Sequence, residues 1–65
     1  MLDERDIWLT ATAMMKRFGD DAIVESAMRA DELSAEGDLD GARVWKRVIA
    51  CVQLLMTTTP VGQVH

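Results

Sequence analysis

The stretch of this sequence with the most chemically capable residues is EGDLDG, residues 36–41. It places Asp38 and Asp40 two residues apart, with a glycine directly after them, which is how one type of calcium-binding loop begins. Such a loop runs for about twelve residues and ends in a bidentate glutamate, whereas this chain continues at once with Arg43 and an apolar helical pattern. A phosphate loop fails as well, since no Gly-Lys-Ser or Gly-Lys-Thr follows. We therefore predict a corner between two helices, in which Gly37 ends one helix and Asp38 caps the next.

The remaining candidates for catalysis are one thiol and one imidazole. Cys51 lies between Val48 and Leu55 on an apolar helical stripe, where a thiol is expected to be inert. His65 is expected to lie on a flexible tail, which makes it a poor general base. A single cysteine and a single histidine form neither an intrachain disulfide nor a Cys/His zinc site. We therefore predict that the protein is not an enzyme and has no catalytic residues, no cofactor and no metal site.

Composition favours contact with another protein chain. A 65-residue domain buries only about 60% of its unfolded surface, yet hydrophobic residues make up 49% of this sequence. The net charge of −4 disfavours nucleic-acid backbones and anionic membranes. The N-terminal sequence MLDERDIWL is acidic where a signal peptide is basic, and no run of 18 apolar residues is present. We expect a cytoplasmic protein with one domain over residues 1–59 and a flexible tail over 60–65.

Hydrophobic periodicity predicts three helices and no sheet, over about residues 3–18, 21–36 and 39–57. Asp3 is the expected N-cap of the first helix, and Asp20 or Asp21 that of the second. The second helix has a face of small residues, which allow helix axes to approach closely. The small residues of this predicted buried face are Ala22, Ser26, Ala27, Ala30 and Ser34, and two larger residues, Ile23 and Leu33, complete it.

The third predicted helix carries two adjacent apolar stripes, one with Val44, Val48, Cys51 and Leu55 and the other with Trp45, Ile49, Val52 and Met56. Together they cover about half of the circumference, more than the ~100° that one contact needs. We therefore expect an all-α, three-helix bundle completed by dimerisation, which acts as a self-associating protein–protein interaction module. The predicted interface residues are Trp8, Met15, Trp45, Ile49, Val52 and Met56.

An alternative interpretation is a transcription-associated nucleic-acid-binding protein. Two helices joined by a tight turn are typical of helix-turn-helix proteins, whose second helix enters the major groove. Arg43, Lys46 and Arg47 form a small basic cluster on the third helix and would make the contacts. Asp38 and Asp40 at the start of that helix would repel phosphate, which favours the interpretation of the cluster as a solvated face.

The order of motifs along the chain resembles a family of short alphaproteobacterial proteins of unknown function. The shared pattern is Gly-Asp-x-Ala, then Arg-Ala-Asp (residues 29–31), Gly-Asp-x-x-Gly (37–41) and Val-Trp-x-Arg (44–47), and the likeness covers about residues 6–56. The resemblance implies no activity, cofactor or site residue. It therefore leaves the two functional hypotheses as they are.

Overall fold

In a computed structural model, which describes residues 3–58, the protein is built from three α-helices. Helix α1 spans Glu4–Phe18, α2 spans Ala22–Ala35 and α3 spans Leu39–Thr58, with a single 3₁₀ turn, Gly19–Asp21, between the first two. Residues 3–58 contain no β-strand, so the all-α prediction is confirmed, and each predicted helix end lies within one residue of the observed one. The tail predicted for residues 60–65 lies outside the described residues.

Side-chain hydrogen bonds define the start of α1 but not that of α2. The Asp3 carboxylate accepts a hydrogen bond from the Asp6 amide at 3.1 Å, and the Asp6 carboxylate accepts one from the Asp3 amide at 3.4 Å. This reciprocal capping box confirms the predicted N-cap of α1. Asp21 occupies the predicted N-cap position of α2, but its side chain makes no capping hydrogen bond. The 3₁₀ turn leads directly into α2 and takes the place of a side-chain cap.

The corner between α2 and α3 has the predicted form. The Gly37 amide donates to the Ser34 carbonyl at 3.0 Å and the Asp38 amide donates to the Leu33 carbonyl at 2.8 Å, which is the hydrogen-bond pattern of a Schellman motif. Gly37 has a φ of 86°, a conformation that a residue with a Cβ atom rarely adopts. Asp38 then caps α3 by accepting a hydrogen bond from the Gly41 amide at 2.9 Å.

The core is small and lies where the three helices meet. Its main buried cluster consists of Ile7, Ala11, Ala22, Val48 and Val52. Helix α3 packs most extensively against α2 and less extensively against α1. On α2 the residues Ala22, Ser26 and Ala30 are buried, which confirms the centre of the predicted small-residue face, whereas Ser34 is exposed.

The two apolar stripes of α3 find both of their neighbours within the chain, because α3 packs against α1 and α2 together. Val48 and Val52 are completely buried. Other stripe residues are half-buried and pack against the core: Val44, Trp45, Cys51, Leu55 and Met56. The double stripe therefore has two neighbours within the chain, and the dimerisation predicted from it stays a prediction. The apolar surface left over lies elsewhere.

Candidate functional site

A shallow groove lies between α1 and α3 in the described part of the chain. Near the start of α1 it forms a depression of about 310 Å³, lined by Glu4, Ile7 and Trp8 from α1 and by Arg47, Ala50 and Cys51 from α3. Further along it forms a second depression of about 370 Å³, lined by Thr12, Met15, Lys16 and Leu55. We call this surface the α1/α3 groove.

The two depressions belong to one continuous groove because their α1 residues share one side of that helix. Glu4, Trp8, Thr12 and Lys16 follow one another at intervals of four residues, which places them along one line of a helix. The start of α1 faces Arg47 and the end of α1 faces Leu55, so α1 and α3 run in parallel. The groove therefore extends along most of α1.

Trp8 is the largest of the exposed apolar residues that the structure describes. Trp8 is 49% exposed, although it lies beside the apolar Ile7 and Ala50 in the groove. Leu9, the next residue, is 50% exposed. Leu54 lies one turn beyond Ala50 on α3 and is 60% exposed. Trp8 therefore gives the groove an exposed apolar edge, and Leu9 and Leu54 are further exposed apolar residues on the two helices that form it.

The structure separates the six predicted interface residues into three groups. Val52 is completely buried in the core of the chain and offers no surface to a partner. Met15, Trp45, Ile49 and Met56 are half-buried, and Met15 lines the groove. Trp8 alone is exposed and lines the groove at the same time. The prediction based on α3 stripes thus missed Ala50 and Leu54, which lie on the side of α3 that the periodicity indicates as polar.

A second exposed apolar surface lies on α2. Val24 is 56% exposed and Met28 is 51% exposed, and their spacing of four residues makes them neighbours on the helix. Asp31 and Glu32, one turn further along, are exposed as well. We call the surface formed by Val24, Met28, Asp31 and Glu32 the α2 outer face. Glu32 forms an ion pair with Arg29, with Nη1 and Oε1 3.1 Å apart.

Charge is distributed unevenly between these two surfaces. Helix α2 has three acidic residues and one basic residue, Arg29, whereas α1 and α3 together have three acidic and six basic residues. Lys16 and Arg47 line the α1/α3 groove, in which Glu4 is the one acidic lining residue. The groove is therefore basic in balance and the α2 outer face is acidic, on a chain whose net charge is −4.

The basic residues of the nucleic-acid hypothesis are available at the surface. Arg43, Lys46 and Arg47 are all exposed, and Arg47 also lines the α1/α3 groove. Asp40, one turn before them, lies on the same helix and is exposed too. These three cations therefore form a small cluster next to the groove rather than a long basic stripe.

The described residues offer little for chemistry. Within residues 3–58, no group of three or more Cys, His, Asp or Glu side chains is arranged to hold a metal ion. Cys51 is half-buried and not in a disulfide. In the groove it lies with the apolar Ile7, Trp8 and Ala50 and with the charged Glu4 and Arg47. None of the described helices is both long enough and apolar enough to cross a membrane.

Comparison with known proteins identifies no relative of this chain. No protein-family model matches this chain, and the curated proteins and the solved structures give no significant match to it. The resemblance to the alphaproteobacterial family therefore stays a prediction. Functional inference has to come from the α1/α3 groove and the α2 outer face.

Proposed function

We propose that this protein is a self-associating protein–protein interaction module that uses the α1/α3 groove as its docking surface and carries out no catalysis. The observation that carries the proposal is the half-exposed Trp8 at the edge of the groove. Tryptophan is enriched among the residues that dominate binding energy at protein interfaces. We also propose that the protein is located in the cytoplasm.

The energetic argument rests on the indole. A tryptophan side chain buries roughly 200 Å² when fully enclosed, so roughly 100 Å² of Trp8 remains to be covered. At about 25 cal/mol per Å², covering it contributes about 2.5 kcal/mol. A stable interface takes about 800 Å² from each partner, which is roughly a sixth of the 4723 Å² that the chain exposes.

The smallest assembly that satisfies this proposal is the predicted homodimer. A second copy is favoured as the occupant because this chain presents both kinds of surface, a basic apolar groove and an acidic apolar helix face. Two residues of the α3 double stripe, Cys51 and Leu55, line the groove, whereas Val48 and Val52 are completely buried within the chain. Of the predicted interface residues, the proposal retains Trp8 and Met15 as direct contacts.

Sedimentation equilibrium on the chain and on the variant Trp8→Asp tests this function. We expect the unmodified chain to self-associate at micromolar concentration and the variant to associate at least tenfold more weakly, because the carboxylate would be desolvated in the interface. Leu39→Asp is the matched control, since Leu39 is 63% exposed and lies outside both surfaces. A chain that remains a 7.2 kDa monomer at every concentration would refute the proposal.

The alternative proposal is nucleic-acid binding through Arg43, Lys46 and Arg47, which is supported by the exposure of all three side chains. A gel-shift series with genomic fragments at low salt tests it. Retardation that is lost on changing Arg43 and Arg47 to Glu would favour this function, because phosphate contacts depend on positive charge. Unretarded fragments would exclude it.

A further inference from the structure

The two exposed apolar surfaces of this chain differ in shape and in charge. The α1/α3 groove is concave and lies between two parallel helices. The α2 outer face is the convex surface of a single helix, with Val24 and Met28 at its centre. A helix that presents an apolar row fits into a groove between two other helices, which is a recurring mode of protein recognition.

The charges around the two surfaces are complementary. Asp31 and Glu32 lie next to Met28 on α2 and are exposed, while Lys16 and Arg47 line the groove. Docking α2 of one copy into the groove of another brings carboxylates toward cations. Docking two grooves against each other places Lys16 and Arg47 of both copies in one interface, where Glu4 of each copy is the one acidic lining residue. The cations then outnumber the carboxylates, which disfavours this contact.

We propose that the occupant of the α1/α3 groove is the α2 outer face of a second copy of this chain, so that Trp8 of one copy packs against Val24 and Met28 of the next. This inference rests on the proposed self-association and specifies its partner surface. The contact joins two different surfaces, because a groove binds an α2 face and not another groove. Where both contacts form around a two-fold axis, they close an isologous dimer of two copies. In any other arrangement the contact is heterologous, and further copies add to the free groove and the free α2 face.

Two single variants separate the surfaces. Trp8→Asp disables the groove and leaves the α2 outer face intact, whereas Met28→Lys disables the α2 outer face by placing a cation against the basic groove. Each variant alone should associate at least tenfold more weakly than the unmodified chain. An equimolar mixture should form a one-to-one complex of twice the 7.2 kDa chain mass, because the groove of the Met28→Lys chain binds the α2 outer face of the Trp8→Asp chain.

Sedimentation velocity of each variant and of the mixture gives the result directly, and circular dichroism confirms that both variants fold. Recovery of association in the mixture alone supports the proposal. Self-association of Met28→Lys at the level of the unmodified chain would overturn it while leaving the proposed function in place. A mixture that stays monomeric overturns it as well. A monomeric unmodified chain would instead overturn the proposed function itself.

A charge-only pair of variants provides a second measurement that does not alter apolar packing. Asp31→Lys should weaken association about threefold to tenfold, the range expected for one exposed ion pair converted to a repulsion, and added salt should reduce this difference. Asp20→Lys makes the same charge change outside the α2 outer face, in the 3₁₀ turn, and should have a smaller effect. If both variants weakened association equally, the cause would be the change in net charge alone, and the assigned contact would be overturned.

Discussion

Asp38 and Gly41 form one structural unit at the start of α3. The Asp38 carboxylate accepts a hydrogen bond from the Gly41 amide at 2.9 Å, and a Cβ atom on Gly41 would lie 2.6 Å from Oδ2 of the same carboxylate. The glycine therefore leaves room for the side chain that caps the helix. Both residues belong to the stretch that first suggests a calcium loop, and both have a structural role there.

A double-mutant cycle tests this unit. Asp38→Ala should lower the free energy of unfolding by about 1 kcal/mol, the usual value of an N-cap. Gly41→Ala should stabilise the Asp38→Ala chain by roughly 0.5 kcal/mol, because alanine favours a helix over glycine. In the unmodified chain the same change displaces the capping carboxylate and should give no gain. Urea unfolding measures all four chains, and equal effects of Gly41→Ala in both backgrounds would contradict the coupling.

Gly37 should be a costly position for a side chain. Its φ of 86° is unfavourable for residues with a Cβ atom, so Gly37→Ala should lower the free energy of unfolding by about 1 kcal/mol. Gly37→Asn should cost less, since asparagine tolerates this region better. Thermal unfolding followed by circular dichroism compares the two. Alanine and asparagine with the same effect would argue against a conformational cause.

Ser26 should be a weak point of the α2–α3 contact. The residue is completely buried, and its Oγ has no hydrogen-bond partner among the described residues. Ser26→Ala should raise the free energy of unfolding by about 1 kcal/mol, because an unsatisfied buried hydroxyl is removed. Ser34→Ala is the matched control on the same helix, where the hydroxyl is exposed. Unfolding has to be compared at one protein concentration, since association adds to apparent stability. Equal gains in both variants would leave only helix propensity as the cause.

Trp8 should report association by fluorescence. In a Trp45→Phe chain Trp8 is the single indole, and its emission should shift to shorter wavelength as concentration rises, because the exposed half of its side chain leaves water. The complementary chain, Trp8→Phe, keeps only the half-buried Trp45 and should show a smaller shift. Iodide quenching should fall with concentration in the first chain. The opposite ranking would place Trp45, not Trp8, at the contact between copies.

Local signals in the sequence predict the helices and corners of this fold well. The capping box at Asp3 and the Gly37–Asp38 corner depend on residues within a few positions of one another, so short-range chemistry is sufficient to identify them. The cap of α2 could not be predicted in this way. Asp20 and Asp21 have the right side chains, but the 3₁₀ turn of Gly19–Asp21 leads the chain into α2 without a side-chain hydrogen bond.

The candidate site could be predicted only in part, because it depends on how helices pack and not on the pattern of one helix. The sequence indicates Trp8 as the better interface candidate, and its exposure agrees with that. Val52 belongs to the same predicted interface, yet α1 and α2 bury it completely. Ala50 lies on the polar side of the α3 pattern, and only the packing of α1 against α3 brings it into the groove beside Trp8.

The measurement that tests the account most directly is the molar mass of the unmodified chain and of Trp8→Asp by sedimentation equilibrium from low micromolar to millimolar concentration. The account predicts that the mass of the unmodified chain rises above 7.2 kDa with concentration, and that Trp8→Asp stays at the mass of one chain over the range where the unmodified chain associates. An unmodified chain that remains monomeric throughout, or a Trp8→Asp chain that associates equally well, would contradict it.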